Sequence, residues 1–314
     1  MFVKQAPNSK RQKQAAELDT VPEWRTHLTE HGWCVVPNCF EPERYVDEFW
    51  AWMESFGTGI ERGNAQTWSA ANWPHSMHGL IQHFKIGHAP FAWAIRAEPK
   101  ILEVFALIYG VPASELLVSF DGGNLSRPGQ SKAWPHLDQG SKSSEFACYQ
   151  GLAALTSNNG GLCVYDRSHL QHGKFFKKTG INSHGNWYKL SAADQGWYAE
   201  HGCDTVLISP PAGSLVLWDS RTVHWGQPPT DVPRLCTYVC YLPRSRVMSK
   251  QLAKRLAVFA ARRMTSHWPY PVRMFPETFQ HWGHPELLTR FPARPTIADS
   301  QLTPTMRRLI GFAE

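Results

Sequence analysis

The tripeptide His136-Leu137-Asp138, answered far downstream by His224, constrains this chain more than any other feature. On a β-strand, residues two apart point to the same face, so His136 and Asp138 can reach one metal ion while Leu137 turns away. A histidine from a distant strand would complete a set of two imidazoles and one carboxylate. Such a set leaves half of an octahedron open, which is the arrangement used by non-haem Fe(II) oxygenases.

The HxD tripeptide is a weak signal by itself in a chain with 15 histidines, and the plain alternative for His136 is a surface histidine near a turn. A second match, His284-Pro285-Glu286, has no histidine after it, and its proline cannot donate to a sheet ladder. The surroundings of His224 strengthen the first match. A Pro-Pro-Ala-Gly turn and an apolar run at 215–218 predict a buried strand that ends shortly before this histidine.

Arg234 opens the next predicted strand, which continues to Tyr241. A guanidinium at this position can form a two-pronged bond to a carboxylate deep inside a barrel. A dicarboxylate co-substrate that chelates iron at one end would need such an anchor at its other end. A salt bridge at the barrel rim is the alternative role for Arg234.

Five stretches of the chain together resemble the phytanoyl-CoA dioxygenase (PhyH-like) family of Fe(II)/2-oxoglutarate-dependent oxygenases. The likeness extends from about Gly32 to about Arg246. It is carried by an opening strand, a metal strand, a core strand, an Asn- and Gly-rich stretch and a distal-histidine strand, at Gly32–Pro37, Trp134–Gln139, Tyr149–Leu155, Asn158–His169 and Trp218–Gly226. The resemblance implies a mainly β fold with flanking helices, namely a double-stranded β-helix (a jelly roll of the cupin-like kind).

The same resemblance implies roles for individual residues. His136, Asp138 and His224 would bind iron, and Arg234 would hold the far carboxylate of 2-oxoglutarate. A further co-substrate contact is expected at Gln150 or at the preceding tyrosine. Because adjacent residues of a strand point to opposite faces, only one of the two can serve, and Gln150 is preferred.

Two departures from the family pattern concern the co-substrate region. Asp166-Arg167 stands where the family has Pro-Gly in a turn, and Gly226 stands where a polar residue is sometimes found two positions after the distal histidine. Neither position belongs to the metal set. The contacts to the co-substrate are therefore expected to differ in detail from those of the family.

The activity implied by the resemblance is that of a 2-oxoglutarate-dependent dioxygenase. Such an enzyme uses Fe(II) and O₂, converts 2-oxoglutarate to succinate and CO₂, and hydroxylates an unactivated C–H bond of a small organic substrate. Related halogenases lack the carboxylate and bind chloride in its place, so Asp138 favours hydroxylation. The alternative is a non-oxygenase cupin-like metal-binding protein or isomerase; such proteins often use more than two histidine ligands and need no arginine at position 234.

Composition excludes several other classes of protein. No apolar run approaches the 18 residues of a membrane-spanning helix, and Met1 to Asp19 lacks the apolar segment of a secretory signal. Seven cysteines without paired zinc spacing predict reduced thiols in a cytoplasmic protein. The net charge of +6 is spread along the chain, and its strongest basic stretch, Arg244–Arg263, predicts a solvated helix face. The expected partner is therefore a small molecule and not a nucleic acid, while the oligomeric state stays open.

The expected organisation is a disordered basic tail at 1–20 followed by a single domain at 21–314. Its jelly-roll core spans about 116–245, between a helical N-terminal part and a C-terminal segment that wraps the barrel. Helical patterns predict helices at 22–31, Glu41–Phe56, Ile95–Tyr109 and 247–264. By the family resemblance, residues 57–90 border the mouth of the active site, and 174–205 form either a flap facing the substrate or a packed insert.

Several residues near these motifs have two open roles. Trp134 and Trp225 flank the metal ligands and could either wall the pocket or belong to the core. Arg221 could meet an anionic substrate, although pairing with a nearby acid is favoured. His169 and His172 are expected in a turn after a core strand and not in a second metal site, because no third ligand is evident.

Overall fold

The computed structural model describes residues 21–129, 133–183, 186–281 and 283–313. The tail expected at 1–20 therefore lies outside the described residues. In the part of the chain that is described, no helix has both the length and the apolar character needed to cross a membrane.

Helices surround a set of short strands. The α-helices of the described residues are α1 Glu23–His31, α2 Glu43–Glu54, α3 Pro90–Arg96, α4 Pro99–Tyr109, α5 Ser168–Thr179, α6 Ala192–Glu200, α7 Ser249–Ala260, α8 Glu286–Arg290 and α9 Pro304–Ile310. The strands are β1 Trp33–Val36, β2 Leu80–Ile81, β3 Leu116–Val118, β4 Gly123–Ser126, β5 His136–Leu137, β6 Tyr149–Ala154, β7 Gly161–Tyr165, β8 Tyr188–Lys189, β9 Thr205–Ile208, β10 Leu215–Asp219, β11 His224–Gln227, β12 Arg234–Val239 and β13 Tyr241–Pro243.

The helices predicted at 22–31, Glu41–Phe56 and 247–264 are present as α1, α2 and α7, each slightly shorter than predicted. The single helix predicted over Ile95–Tyr109 was wrong, because α3 and α4 are separate helices. Proline disfavours helical geometry in the residue before it, and Glu98 is accordingly extended, with φ −59° and ψ 123°. Pro99 then begins α4, where its missing N–H costs no hydrogen bond.

The strands form two large antiparallel sheets. The six-stranded sheet has the order β1-β10-β6-β12-β4-β2, and the five-stranded sheet has the order β8-β5-β11-β7-β9. A small third sheet pairs β13 with β3. Neighbouring strands in both large sheets are mostly far apart in sequence, so the chain crosses repeatedly between the sheets.

One face of each large sheet is buried against the other. The cluster that joins these inner faces contains Leu152, Ala154, Val216, Trp218 and Cys236 from the six-stranded sheet and Leu162, Val164 and Ile208 from the five-stranded sheet. Alternation along the strands aims the neighbouring positions at the outer faces. On the six-stranded sheet this outer face packs against helices: a Cβ added at Gly151 would lie 3.2 Å from the Phe105 ring of α4. The molecule is thus a two-sheet β structure with helices covering one side.

Candidate metal centre and its cavity

Three potential metal ligands converge in the five-stranded sheet, at the point where strands β5 and β11 both begin. β5 and β11 are antiparallel neighbours, and their register places His136 directly opposite His224. Asp138 follows β5 and points to the same face as His136, as strand geometry requires. One ligand atom from each of the three residues lies within 4.8 Å of the other two. The sequence motif and the distant histidine therefore meet at one point.

Backbone hydrogen bonds orient both imidazole rings. His136 Nδ1 lies 3.1 Å from the carbonyl oxygen of Trp134, and His224 Nδ1 lies 3.0 Å from that of Thr222. A carbonyl can only accept, so each Nδ1 carries the proton and each Nε2 presents its lone pair. Both Nε2 atoms face Asp138, at 3.8 Å for His136 and 3.3 Å for His224. Such backbone contacts are the usual means of fixing a metal-binding histidine.

The protonation states of the group suit a cation. Burial, together with the neighbouring His224 ring, lowers the pKa of His136 to about 3. Burial alone would raise the pKa of Asp138, but the surrounding imidazoles, His267 first among them, outweigh it and bring the pKa below its usual range. At neutral pH the His136 imidazole is neutral and the carboxylate is ionised. Both groups are therefore in the state that metal ligation requires.

The three residues face a cavity of about 410 Å³. The inner face of the six-stranded sheet contributes Gln150, Trp218 and Tyr238 to its lining, and the five-stranded sheet contributes Leu162 and Gly226. Its other side is formed by segments outside the large sheets, at 77–78 and 266–275. Exposed apolar side chains, Met77, Trp187 and Met274, surround its mouth. The expectation that residues 57–90 border the mouth agrees with this placement of Met77.

The two tryptophans beside the ligands have different roles. Trp134 lines the cavity and stacks on the His136 ring, with ring centroids 4.2 Å apart, and on the His78 ring at 5.0 Å. Trp225 instead packs in a buried cluster against Tyr165.

The turn that carries His78 is tight, since His78 and Gly79 both have positive φ, of 54° and 78°. An added Cβ at position 79 would meet Ser126 Oγ at 2.0 Å.

Arg234 lies inside the two-sheet structure and not at its rim. It begins β12, opposite Ser126 of β4, and is 4% exposed. A Cβ added at Gly226 would lie 3.6 Å from Arg234 Nη1, so the guanidinium reaches the strand that carries His224. No hydrogen bond or ion pair joins this guanidinium to another residue of the described ranges. The absence of a side chain at Gly226 leaves space beside the cation.

Gln150 and Tyr149 diverge, as the alternation of β6 requires. Gln150 is buried and lines the cavity, and its Nε2 has no hydrogen-bond partner among the described residues. Tyr149 packs against Phe146 with ring centroids 4.5 Å apart, away from the cavity. Of these two residues, Gln150 is therefore the one that offers a hydrogen-bond donor to a molecule in the cavity.

The remaining sequence candidates take structural roles. The turn predicted at His169 and His172 was wrong, because both lie in α5. Their Nε2 atoms donate to the carbonyl oxygens of Thr29 and Gln139. Arg221 pairs with Asp219 at 2.7 Å, as favoured from the sequence. The segment 174–205 divides between both of its proposed roles: Trp187 lines the cavity, whereas Tyr198 is fully buried against Phe175.

Two cavity residues carried no sequence signal. His267 Nδ1 lies 3.8 Å from Asp138, and its Nε2 is buried without a partner among the described residues. Asp121 is 5% exposed and also lines the cavity. Neither belongs to a motif, and both come from irregular segments whose position depends on long-range packing. Only the three-dimensional arrangement identifies them.

The chain is similar to known proteins in sequence and in fold. No family model matches it. It is 28% identical over 278 residues to Ava biosynthesis cluster protein O from Aspergillus versicolor, an alignment that covers 81% of this chain and 90% of that protein. A hypothetical protein of Escherichia coli aligns with a TM-score of 0.59 at 14% identity, over 96% of this chain and 84% of the other, and the two share a fold.

A second solved structure overlaps less completely. It is the non-haem α-ketoglutarate-dependent carbocyclase SnoK from nogalamycin biosynthesis, which aligns with a TM-score of 0.49 at 18% identity, over 76% of this chain and 91% of the other. An overlap of that extent carries no conclusion about this chain.

Proposed function

We propose that this protein is an Fe(II)/2-oxoglutarate-dependent oxygenase that hydroxylates a C–H bond of a small organic substrate. The observation that carries the proposal is the convergence of His136, Asp138 and His224, with ligand atoms within 4.8 Å of one another, at the wall of a 410 Å³ cavity. Two imidazoles and one carboxylate that leave the cavity side free match the facial set of non-haem iron enzymes. A cupin-like isomerase would need no second anchor for a diacid.

The donor set fits a ferrous ion. Both Nε2 lone pairs and the Asp138 carboxylate face one point, and the backbone bonds at each Nδ1 hold the rings in place. Metal-binding sites with neutral imidazole and carboxylate ligands suit Fe(II) and other first-row ions. His136, Asp138 and His224 would hold the ion, and the open side would face the cavity.

The groups beside the ligands fit 2-oxoglutarate. Arg234 is a buried cation without a counter-charge among the described residues, and an unpaired buried charge is costly. Its guanidinium lies next to Gly226, two residues or roughly 7 Å along the strand from His224. The backbone of a five-carbon diacid spans about 5 Å between its end carbons. We therefore assign Arg234 to the 5-carboxylate and the unpartnered Nε2 of Gln150 to the other end of the co-substrate.

The chain's own residues contribute positioning and shielding. Bound iron and 2-oxoglutarate supply the oxidising chemistry, with O₂ as oxidant and succinate and CO₂ as products. Asp138 fills the third protein position of the ligand set, which favours hydroxylation over halide transfer. Trp134, Trp218 and Tyr238 exclude water from the space next to the ligands and leave room for a substrate that enters past Met77 and Trp187.

The fold and the similarity to a biosynthesis cluster protein are both consistent with this activity. We interpret the two facing antiparallel sheets as a jelly roll within one domain at 21–314, the scaffold that such sites use. The 28% identity to a biosynthesis cluster protein supports a role in small-molecule biosynthesis. The seven free cysteines fit the reducing cytoplasm predicted from the sequence.

The test is anaerobic titration of the protein with Fe(II) and 2-oxoglutarate, followed by addition of O₂ and measurement of succinate. We expect the visible absorption that arises when iron binds a 2-oxo acid, and slow succinate formation without added substrate. His136→Ala should abolish both signals. His284→Ala is the matched control, because His284 belongs to the second motif match and is 68% exposed. Iron binding without any response to 2-oxoglutarate would instead favour the isomerase.

A further inference from the structure

The cavity contains a second carboxylate that the metal centre does not use. Asp121 lies just before β4 and is 5% exposed, yet it lines the same cavity as the three ligands. Its one described side-chain hydrogen bond is to the backbone N–H of Gly122, at 2.7 Å. No cationic side chain of the described residues forms an ion pair with it. A buried carboxylate with one partner retains capacity to accept further hydrogen bonds.

The nearest internal cation acts on the backbone of Asp121. Arg96 is fully buried behind the cavity, and its Nη2 donates to the carbonyl oxygen of Asp121 at 2.7 Å and its Nη1 to that of Gly87. These bonds fix the position of Asp121 in the chain. The guanidinium offsets part of its charge without occupying the carboxylate oxygens. The backbone of Asp121 is therefore fixed by Arg96, and its carboxylate remains able to accept hydrogen bonds from a molecule in the cavity.

Further unpartnered polar atoms lie on the same side of the cavity. The segment that contains Ser266 and His267 runs beside that of Asp121, because Thr265 N donates to Phe120 O at 3.0 Å and Phe120 N donates to Thr265 Oγ1 at 3.1 Å. Ser266 Oγ and His267 Nε2 are buried and line the cavity without partners in the described chain. A ligand with several N–H donors would satisfy a carboxylate, a hydroxyl and an imidazole together.

The aromatic lining suits the same ligand. Trp134, Trp187, Trp268 and Tyr238 contribute to the cavity wall. Indole and phenol faces attract cations and also bury apolar carbon. The site thus combines the Asp121 carboxylate with aromatic walls. Arg273 also lines the cavity, but it forms no ion pair with Asp121 in the described chain.

We propose that Asp121 binds a protonated nitrogen of the substrate, so that the oxygenase acts on small organic amines with an apolar body. This inference rests on the proposed function for its meaning in catalysis, but the binding itself does not require iron. Arg234, next to Gly226 of the cavity lining, would then hold the anionic co-substrate, and Asp121 would hold the cationic substrate.

The test compares 2-phenylethylamine with the neutral 2-phenylethanol at pH 8, by calorimetry or ligand-detected NMR. The protein is loaded with redox-inert Zn²⁺, so that Asp138 in the same cavity is not left as a free carboxylate. A hydrogen-bonded charge pair should make the amine bind about tenfold more tightly than the alcohol. Asp121→Asn should reduce that ratio to about one. Asp47→Asn, a surface carboxylate variant, should leave the ratio unchanged. Asp121→Ser provides a second uncharged variant that can still accept from Gly122, and thermal unfolding checks that each variant folds.

Three outcomes overturn the proposal: binding of neither probe to the wild-type protein at millimolar concentration, equal binding of amine and alcohol, or an amine preference that survives both Asp121 variants. Failure of the proposed function has a different signature. In that case the amine preference is present, while Fe(II) and 2-oxoglutarate give neither visible absorption nor succinate.

Discussion

The ionisation of Asp121 should make the free energy of unfolding depend measurably on pH. Burial raises the pKa of this carboxyl to about 7, from an ordinary value of 3.8; the Gly122 N–H and Arg96 oppose the rise, and Asp138 adds to it. A carboxyl whose pKa is higher in the folded than in the unfolded protein stabilises the fold fully only at low pH. That contribution to stability begins to decrease when the pH exceeds the pKa in the unfolded protein. It is lost once the pH has passed the pKa in the folded protein.

The size of the effect follows from the two pKa values. A difference of about three pKa units corresponds to about 4 kcal/mol of unfolding free energy across the whole transition. Integration of the linkage relation between pH 5 and pH 8 gives a loss of about 2.5 kcal/mol. Asp121→Asn cannot ionise, so it should lack this loss and gain stability relative to wild type as the pH rises.

The assay is urea unfolding of the metal-free wild type, Asp121→Asn and the surface control Asp47→Asn at half-unit intervals from pH 5 to pH 8. The free energy of unfolding of wild type minus that of Asp121→Asn should fall by about 2.5 kcal/mol over this range. A difference that stays constant within about 0.5 kcal/mol would refute the reasoning. It would mean that the Asp121 carboxylate is solvated or paired in the folded protein and is not buried in surroundings of low dielectric constant.

Three further predictions concern other parts of the site. Asp138→Ala removes the charged ligand and should weaken Fe(II) binding at least 10-fold; wild-type affinity by anaerobic titration would contradict its place in the ligand set. Arg234→Gln should raise the KM for 2-oxoglutarate about 100-fold with little change in Fe(II) affinity, and an unchanged KM in the succinate assay would place the anchor elsewhere. Gly79→Ala forces a side chain into φ 78° beside Ser126, so urea unfolding should detect a loss of about 1–3 kcal/mol; equal stability would show that the turn can relax.

The convergence of the three ligand residues was predictable because it depends on local rules. Alternation along a strand fixes the common face of His136 and Asp138, and the turn before β10 indicates where the distal strand begins. The same alternation selected Gln150 over its neighbour. The inward direction of Arg234 follows equally from its position on β12.

Other features depend on contacts between distant parts of the chain. Asp121 and His267 lie near each other because Phe120 and Thr265, which precede them, are hydrogen-bonded across the fold, and no spacing in the sequence encodes that contact. The break between α3 and α4 is a different case. Pro99 signalled it locally, but the continuous apolar pattern of Ile95–Tyr109 concealed the signal.

The cavity walls have two separate origins. The sheets supply His136, His224 and Gln150, whereas the surface opposite them comes from 77–82 and 266–275, outside the two large sheets except for the short edge strand β2. Exchanging side chains in those two segments, other than His267 beside Asp138, should alter which molecule is accepted and leave the three proposed ligand residues in place. The fold therefore keeps the proposed ligand residues on the sheets, while most of the surface that would contact a substrate lies on segments that can be substituted separately.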